Sequence, residues 1–119
     1  MRKTVTTRRF GPKVRALRKK KGMGLRELGR HAHISPTFLF NIEAGNQRPP
    51  KERKIRALAK ALGCEEEVLL ALSGELPTDV IKVVQEHPCE YFALLRASKG
   101  LSAEQLREVQ GQLGHKGKL

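Results

Sequence analysis

Side chains that commonly serve in catalysis or metal binding are few and widely separated in this sequence. His31 and His33 would lie on different faces of a helix, and Cys64, His87 and Cys89 lack the close pairs of ligands that a zinc site needs. Neither a phosphate-cradling glycine loop nor a nucleophile elbow occurs. The sequence therefore predicts no enzyme, no bound metal and no cofactor.

Positive charge is concentrated in the first half of the chain. Residues 1–63 contain 18 of the 24 Lys and Arg residues but only 3 of the 12 Asp and Glu residues. Such an uneven distribution indicates a localised face that binds a polyanion. An ordinary solvated surface would not explain why acidic residues are nearly absent from one half only.

The length and the apolar pattern limit the class of protein. A chain of 119 residues can form one domain with a modest core. No apolar run approaches the ~18 residues of a membrane span, and the N-terminus lacks the apolar stretch of a signal peptide. Two isolated cysteines suit a reducing compartment. We therefore expect a soluble cytoplasmic protein without a membrane partner.

Glycine and proline divide the chain into segments of helical length, and no sustained strand-type alternation occurs, so the predicted fold class is all-α. We predict a flexible basic arm over residues 1–10, a domain over residues 11–76, a helical segment over residues 77–113 and a tail over residues 114–119. The domain should contain five helices, at about residues 12–21, 25–32, 36–44, 51–62 and 65–72. Ser102 and Gln105 have the spacing of a capping box, which marks the start of the last helix of the C-terminal segment.

The second and third helices are separated only by His33, Ile34 and the opening Ser35. The stretches "LRKKKGMGLRELG", "ISPTFLFNIEAGNQRPP" and "IRALAKALG" resemble the lambda-repressor-like, or XRE, family of helix-turn-helix regulators. The recognition helix of this family ends in an apolar residue, Glu, any residue and Gly, which residues 42–45 match. The resemblance covers roughly residues 10–76 and implies a five-helix domain that binds DNA.

Two positions depart from the family pattern. The joint usually carries Gly with a positive φ, and His33 stands there, which predicts a strained but feasible turn. The second helix often begins with Ser or Thr followed by Gln, which hold a phosphate, whereas this chain has Gly24 and Leu25. Backbone N–H groups after Gly24 remain available to a phosphate, and Arg26 is the candidate to replace the missing side-chain contact.

The periodicity of the third helix separates a core face from a DNA face. Leu39 and Ile42 should pack against Leu28 and Ala32, and Phe38 should also serve in packing. The opposite side would enter the major groove and read base edges. The candidate base contacts are Pro36, Thr37, Phe40 and Asn41, of which Asn41 would pair with adenine and Phe40 would contact thymine methyl groups. A partly buried core or dimer position is the alternative for Phe40.

Contacts to phosphate set affinity and register more than sequence preference. The candidates are polar and basic residues around the helix-turn-helix: Arg26, Ser35, Asn46, Gln47, Arg48 and Lys51, with Arg8 and Arg9 in the arm. The basic run at residues 18–21 is either solvated or a further DNA contact, and the sequence leaves this open.

These features predict a sequence-specific transcriptional regulator, a repressor that binds a palindromic operator in double-stranded DNA as a homodimer through the helix at residues 36–44. Short helices cannot bury all the apolar residues of the segment 77–113, so these residues must pack on the N-terminal domain or on another chain. We expect this segment to supply the dimer interface or to bind a protein partner. Two alternatives stay open. One is an antitoxin-like protein-interaction module with secondary DNA binding, and the other is RNA or nucleoid binding through charge alone.

Overall fold

The structure, a computed structural model, describes residues 7–116 and the side chains of residues 7–114. Within that part of the chain there are eight α-helices and no strand, which confirms the predicted all-α class. The helices are α1 (Phe10–Lys20), α2 (Leu25–Ala32), α3 (Pro36–Ala44), α4 (Glu52–Leu62), α5 (Glu66–Leu72), α6 (Thr78–Glu86), α7 (Pro88–Ala97) and α8 (Ala103–Lys116). No described helix combines the length and the apolarity that crossing a membrane requires.

The described chain divides into two compact units, and the boundary between them along the sequence lies between Pro77 and Thr78. The first unit contains α1–α5 and has its own apolar core. The core is built from aliphatic side chains and one Phe, as expected for a chain without Trp: Phe10, Val14, Leu28, Ala32, Ile34, Leu39, Ile42, Ile55, Leu58, Ala59, Leu62, Leu69 and Leu70. The predicted packing of Leu39 and Ile42 of α3 with Leu28 and Ala32 of α2 is confirmed.

The second unit contains α6–α8 and differs from the first in its burial. None of the described side chains of residues 78–114 is fully buried. Ser102 and Gln105 form the predicted capping box, because the Ser102 N–H donates to Gln105 Oε1 at 2.9 Å and the Gln105 N–H donates to Ser102 Oγ at 3.1 Å. Helix α8 continues to Lys116, three residues beyond its predicted end. Residues 117–119 of the predicted tail lie outside the described residues.

Helix α1 begins earlier than the sequence predicts. It starts at Phe10, two residues before Pro12, and the Phe10 N–H donates to Thr7 O at 3.0 Å. Phe10 is 1% exposed and belongs to the core, so its placement in the flexible arm was wrong. Burial of the Phe10 ring contributes more favourable free energy than the ordering of the adjacent basic residues costs. Residues 1–6 of the predicted arm lie outside the described residues.

The joint between α2 and α3 is a left-handed turn. His33 has φ 58° and ψ 44°, the only positive φ of a non-glycine residue in the described chain, which confirms the predicted strain. The Ile34 N–H donates to Gly29 O at 2.9 Å, and Lys54 Nζ donates to His33 O at 2.6 Å. A Cβ atom on Gly29 would lie 2.4 Å from Ile34 O. The tight joint therefore depends on glycine at this position of α2.

Replacement of Gly29 by Ala should lower the free energy of unfolding by about 2 kcal/mol, because the new methyl group overlaps a backbone carbonyl that cannot move freely. Helix propensity alone predicts the opposite sign, a gain of about 1 kcal/mol. Gly24→Ala is the matched control, since its Cβ would meet nothing within 4 Å. Urea unfolding followed by circular dichroism measures both, and a Gly29→Ala chain as stable as the parent would contradict the close approach.

Candidate nucleic-acid interface

Helix α3 is short, and its two ends are fixed by local hydrogen bonds. Ser35 occupies the N-cap with an extended backbone, and its Oγ accepts the N–H of Phe38 at 3.1 Å. Pro36 stands in the first turn, where its missing N–H removes no helical bond. At the other end Gly45 adopts a left-handed conformation, and its N–H donates to Ile42 O at 3.2 Å. The sequence from Ser35 to Gly45 thus defines one rigid element.

The candidate base contacts share the side of α3 that faces away from the core. Pro36 and Thr37 are exposed, Phe40 is 55% exposed, and Asn41 is half-buried. This exposure excludes the core alternative for Phe40 and leaves the dimer alternative untested. Phe38, expected to serve in packing, is 37% exposed and only partly fulfils that role. The structure therefore presents the four candidates together on one surface of α3.

A buried ion pair joins α3 to α1. Arg18 Nε donates to Glu43 Oε2 at 2.7 Å and Arg18 Nη2 donates to Glu43 Oε1 at 2.9 Å, so the contact is bidentate. Arg18 Nη1 also donates to Met23 O at 2.9 Å, in the turn that leads to α2. The two side chains are 11% and 4% exposed. The hydrogen bonds to Glu43 raise the pKa of Arg18 against the lowering effect of burial, and the guanidinium stays charged.

This pair was not predicted from the sequence. Arg18 belongs to a basic run that was expected to be either solvated or in contact with DNA, but only Lys19, Lys20 and Lys21 of that run are exposed. A signal was available, because Arg18 follows Val14 by four residues on the apolar stripe of α1 and Glu43 follows the buried Ile42. Two opposite charges that the helical pattern places near the core can be buried only if they are paired.

Arg26 lies beside the start of α3. It is exposed in the first turn of α2 and lines an open groove of about 740 Å³ together with Pro36, Thr37 and His33. Gly24 is the N-cap of α2 and offers no side-chain cap, so the first N–H groups of this helix keep no bond to a capping side chain. Arg30, which the sequence analysis did not single out, lines the same groove one turn further along α2.

The remaining phosphate candidates lie in the α3–α4 loop and at the start of α1. Asn46, Gln47, Arg48 and Lys51 are all exposed. Arg48 and Lys51 line a depression of about 460 Å³ together with Phe38, Arg8 lines another of about 350 Å³, and Gln47 lines both. Arg9 is exposed at the N-cap of α1, and Ser35 keeps its hydroxyl hydrogen available while its oxygen caps α3. Arg53, at the start of α4, also lines the depression that contains Phe38, and it was not predicted from the sequence.

Potential metal ligands are dispersed in the described part of the chain. No three His, Cys, Asp or Glu side chains lie close enough together to hold a metal ion in the part of the chain that the structure describes. Burial raises the pKa of the Cys64 thiol, so this group is less prone to ionise than an ordinary cysteine. Cys89 is exposed on α7.

Comparisons with known proteins agree with this geometry. A family described as a helix-turn-helix domain matches residues 9–72, which is more than half of the chain. A chain from a solved complex of the SinR and SinI proteins is similar, with a TM-score of 0.50 and 23% identity over 92% of this chain and 99% of that chain. The clp gene regulator ClgR from Corynebacterium glutamicum is similar with a TM-score of 0.51 and 22% identity over 82% of this chain and 98% of that chain. At these identities the two structures show the fold alone, and no curated protein matches.

Arg18→Met should lower the free energy of unfolding by about 3–5 kcal/mol, because it leaves the Glu43 carboxylate buried without a partner. The double variant Arg18→Met with Glu43→Met should recover much of that loss, since both charges are then absent. Arg15→Met, on the exposed side of α1, is the control and should change stability by less than about 0.5 kcal/mol. Urea unfolding tests the set, and a double variant no more stable than Arg18→Met would contradict the pairing.

Proposed function

We propose that this chain, which belongs to the lambda-repressor-like helix-turn-helix family of DNA-binding transcription regulators, is a cytoplasmic repressor. It would bind a palindromic operator as a homodimer. The observation that carries this proposal is the exposed, uncharged face of α3, which is held rigidly between basic elements. A protein that bound polyanions through charge alone would not need such a face. Sequence reading and phosphate binding are thus assigned to different parts of the domain.

In the proposed complex α3 enters the major groove, which is wide enough to admit one α-helix. Pro36, Thr37, Phe40 and Asn41 then meet base edges, and α2 lies across the groove and supports α3. The buried contacts of Leu39 and Ile42 keep the opposite side of α3 against the core. The exposed side of α3 is therefore already turned away from the core, and the helix need not rotate about its own axis to contact the bases.

Phosphate contacts flank α3 in this arrangement. Arg26 and the N–H groups at the start of α2 would bind one stretch of backbone, with Ser35 near it. A second stretch would meet the loop residues Asn46, Gln47, Arg48 and Lys51, with Arg8 and Arg9 at the start of α1. These contacts release counterions, so affinity should decrease steeply with salt concentration.

The second unit supports the homodimer. Its apolar side chains are exposed within the single chain, among them Leu95 at 58% and Leu113 at 60%. Further exposed apolar residues occur on all three helices: Val80, Ile81, Val83, Phe92, Leu94, Leu106 and Val109. A second copy of the chain would cover this surface and would also double the short DNA site that one helix-turn-helix can read.

An antitoxin-like module that chiefly binds another protein is the second candidate function. The same exposed apolar residues favour it, and one structurally similar chain comes from a complex of two proteins. In that case the second unit would bind a different chain, and DNA binding by α3 would be secondary. The oligomeric state of the purified protein separates the two candidates.

Asn41→Ala should weaken binding to a selected operator by about 1–3 kcal/mol and relax the preference at one base pair, because it removes a bidentate contact to a base. Arg48→Ala should instead weaken binding to all sequences alike and reduce the salt slope by about 1. Fluorescence anisotropy with the operator and with a shuffled sequence measures both effects. An unchanged operator preference in Asn41→Ala would remove this residue from the reading face.

Selection from a random DNA pool should recover two inverted half-sites about one helical turn apart, or a multiple of it, because a two-fold dimer presents two α3 helices. Residues 1–77 alone contain a complete core and should sediment as a monomer that selects one half-site. If residues 1–77 form the same dimer as the full chain in analytical ultracentrifugation, the pairing belongs to the first unit.

A further inference from the structure

We infer that α3 reads A·T base pairs, through the adenine edge and thymine methyl groups, and that it makes no contact that selects G·C. This inference rests on the proposed DNA-binding function and names the class of sequence that the proposed site recognises. It follows from which side chains α3 presents and which it keeps buried.

The exposed face of α3 carries no charge. The only ionisable residue between Pro36 and Ala44 is Glu43, which is 7% exposed and has both carboxylate oxygens bonded to Arg18. Guanine is read in the major groove chiefly by Arg or Lys at its O6 and N7 atoms, and cytosine is read by Asp or Glu at its N4 group. Helix α3 offers neither kind of side chain, and the hydroxyl of Thr37 can bond either base pair, so no side chain on α3 would select G·C over A·T.

The side chains that α3 does expose suit an A·T pair. The carboxamide of Asn41 can bond adenine N6 and N7 together. Pro36, the methyl group of Thr37 and the ring of Phe40 are apolar, and Phe40 has more than half of its surface exposed. The thymine methyl is the apolar group that projects into the major groove, and contact with it would remove both surfaces from water.

Cations close to α3 belong to α1, α2 and α4; on α1, Arg15 and Lys19 line a depression beside Phe40. Arg26 and Arg30 line the groove beside Pro36 and Thr37, and either could reach a guanine next to the bases that α3 reads. The ammonium of Lys54 already donates to His33 O. Any preference for G·C should therefore depend on the cations of α1 and α2 and should occupy a flanking position, which Arg15→Met, Arg26→Met and Arg30→Met can identify.

The test replaces single thymines of the selected half-site by deoxyuridine, which removes the methyl group and leaves base pairing intact. For the unmodified protein each contacted methyl should be worth about fourfold in Kd, the value of one buried methylene. In Phe40→Ala the thymine-to-uridine ratio should decrease to about one at the position that Phe40 contacts. Thr37→Ser keeps the hydroxyl and removes one methyl group, so it gives a second, milder variant with the same expected direction.

The outcomes separate this inference from the proposed function. Enrichment of A·T pairs at positions whose preference relaxes in Asn41→Ala or Phe40→Ala, together with the uridine effect, supports it. A G·C pair at such a position overturns it and leaves DNA recognition intact. Equal uridine effects in the unmodified protein and in both methyl-contact variants also overturn it. A selection that enriches no sequence at all overturns the proposed function itself.

Discussion

The bidentate pair between Arg18 and Glu43 is the contact on which the candidate interface depends. Helix α3 has nine residues, which is below the length of about 12–15 at which an isolated helix begins to be stable in water. Its local caps stop the chain at both ends but do not fix its rotation. The ion pair fixes it together with the buried contacts of Leu39 and Ile42, because a planar guanidinium donates to a carboxylate in one orientation and burial keeps water from replacing it. The bond from Arg18 to Met23 O extends the same restraint to the turn before α2.

In the proposed complex, the domain divides DNA binding between charge and shape. Cations lie on α2, in the loop after α3 and at the start of α1, where their attraction to a polyanion is independent of sequence. The face of α3 between them is uncharged and offers an amide, a hydroxyl and apolar surface. Because the charge on α3 is buried and paired, it neither repels a phosphate nor competes for a base. The affinity for DNA and the discrimination between base sequences can therefore vary separately in this fold.

Much of the fold follows from the order of residues along the chain. Glycines and prolines mark the ends of helices, because few other residues adopt a left-handed backbone or start a helix without an N–H donor. The strained turn at His33 was predicted from the family resemblance, because a glycine with positive φ usually stands at this joint. Tertiary contacts were harder to predict from the sequence. The start of α1 depends on whether Phe10 is buried in the core, and the basic run at residues 18–21 contains one buried residue, Arg18, that its composition does not reveal. The exposed set on α3 was predicted because periodicity alone decides which side of a helix remains outside.

The bond from Lys54 to the carbonyl of His33 has a consequence for alignment on a helical polymer. It ties the first turn of α4 to the joint before α3, and the loop with Arg48 and Lys51 leads directly into that turn. The residues proposed to contact phosphates and those proposed to contact bases therefore belong to one rigid arrangement with a fixed distance between them. A shift by one base pair would break both sets of contacts together, so the protein would have to dissociate from the DNA before it could bind in a neighbouring register.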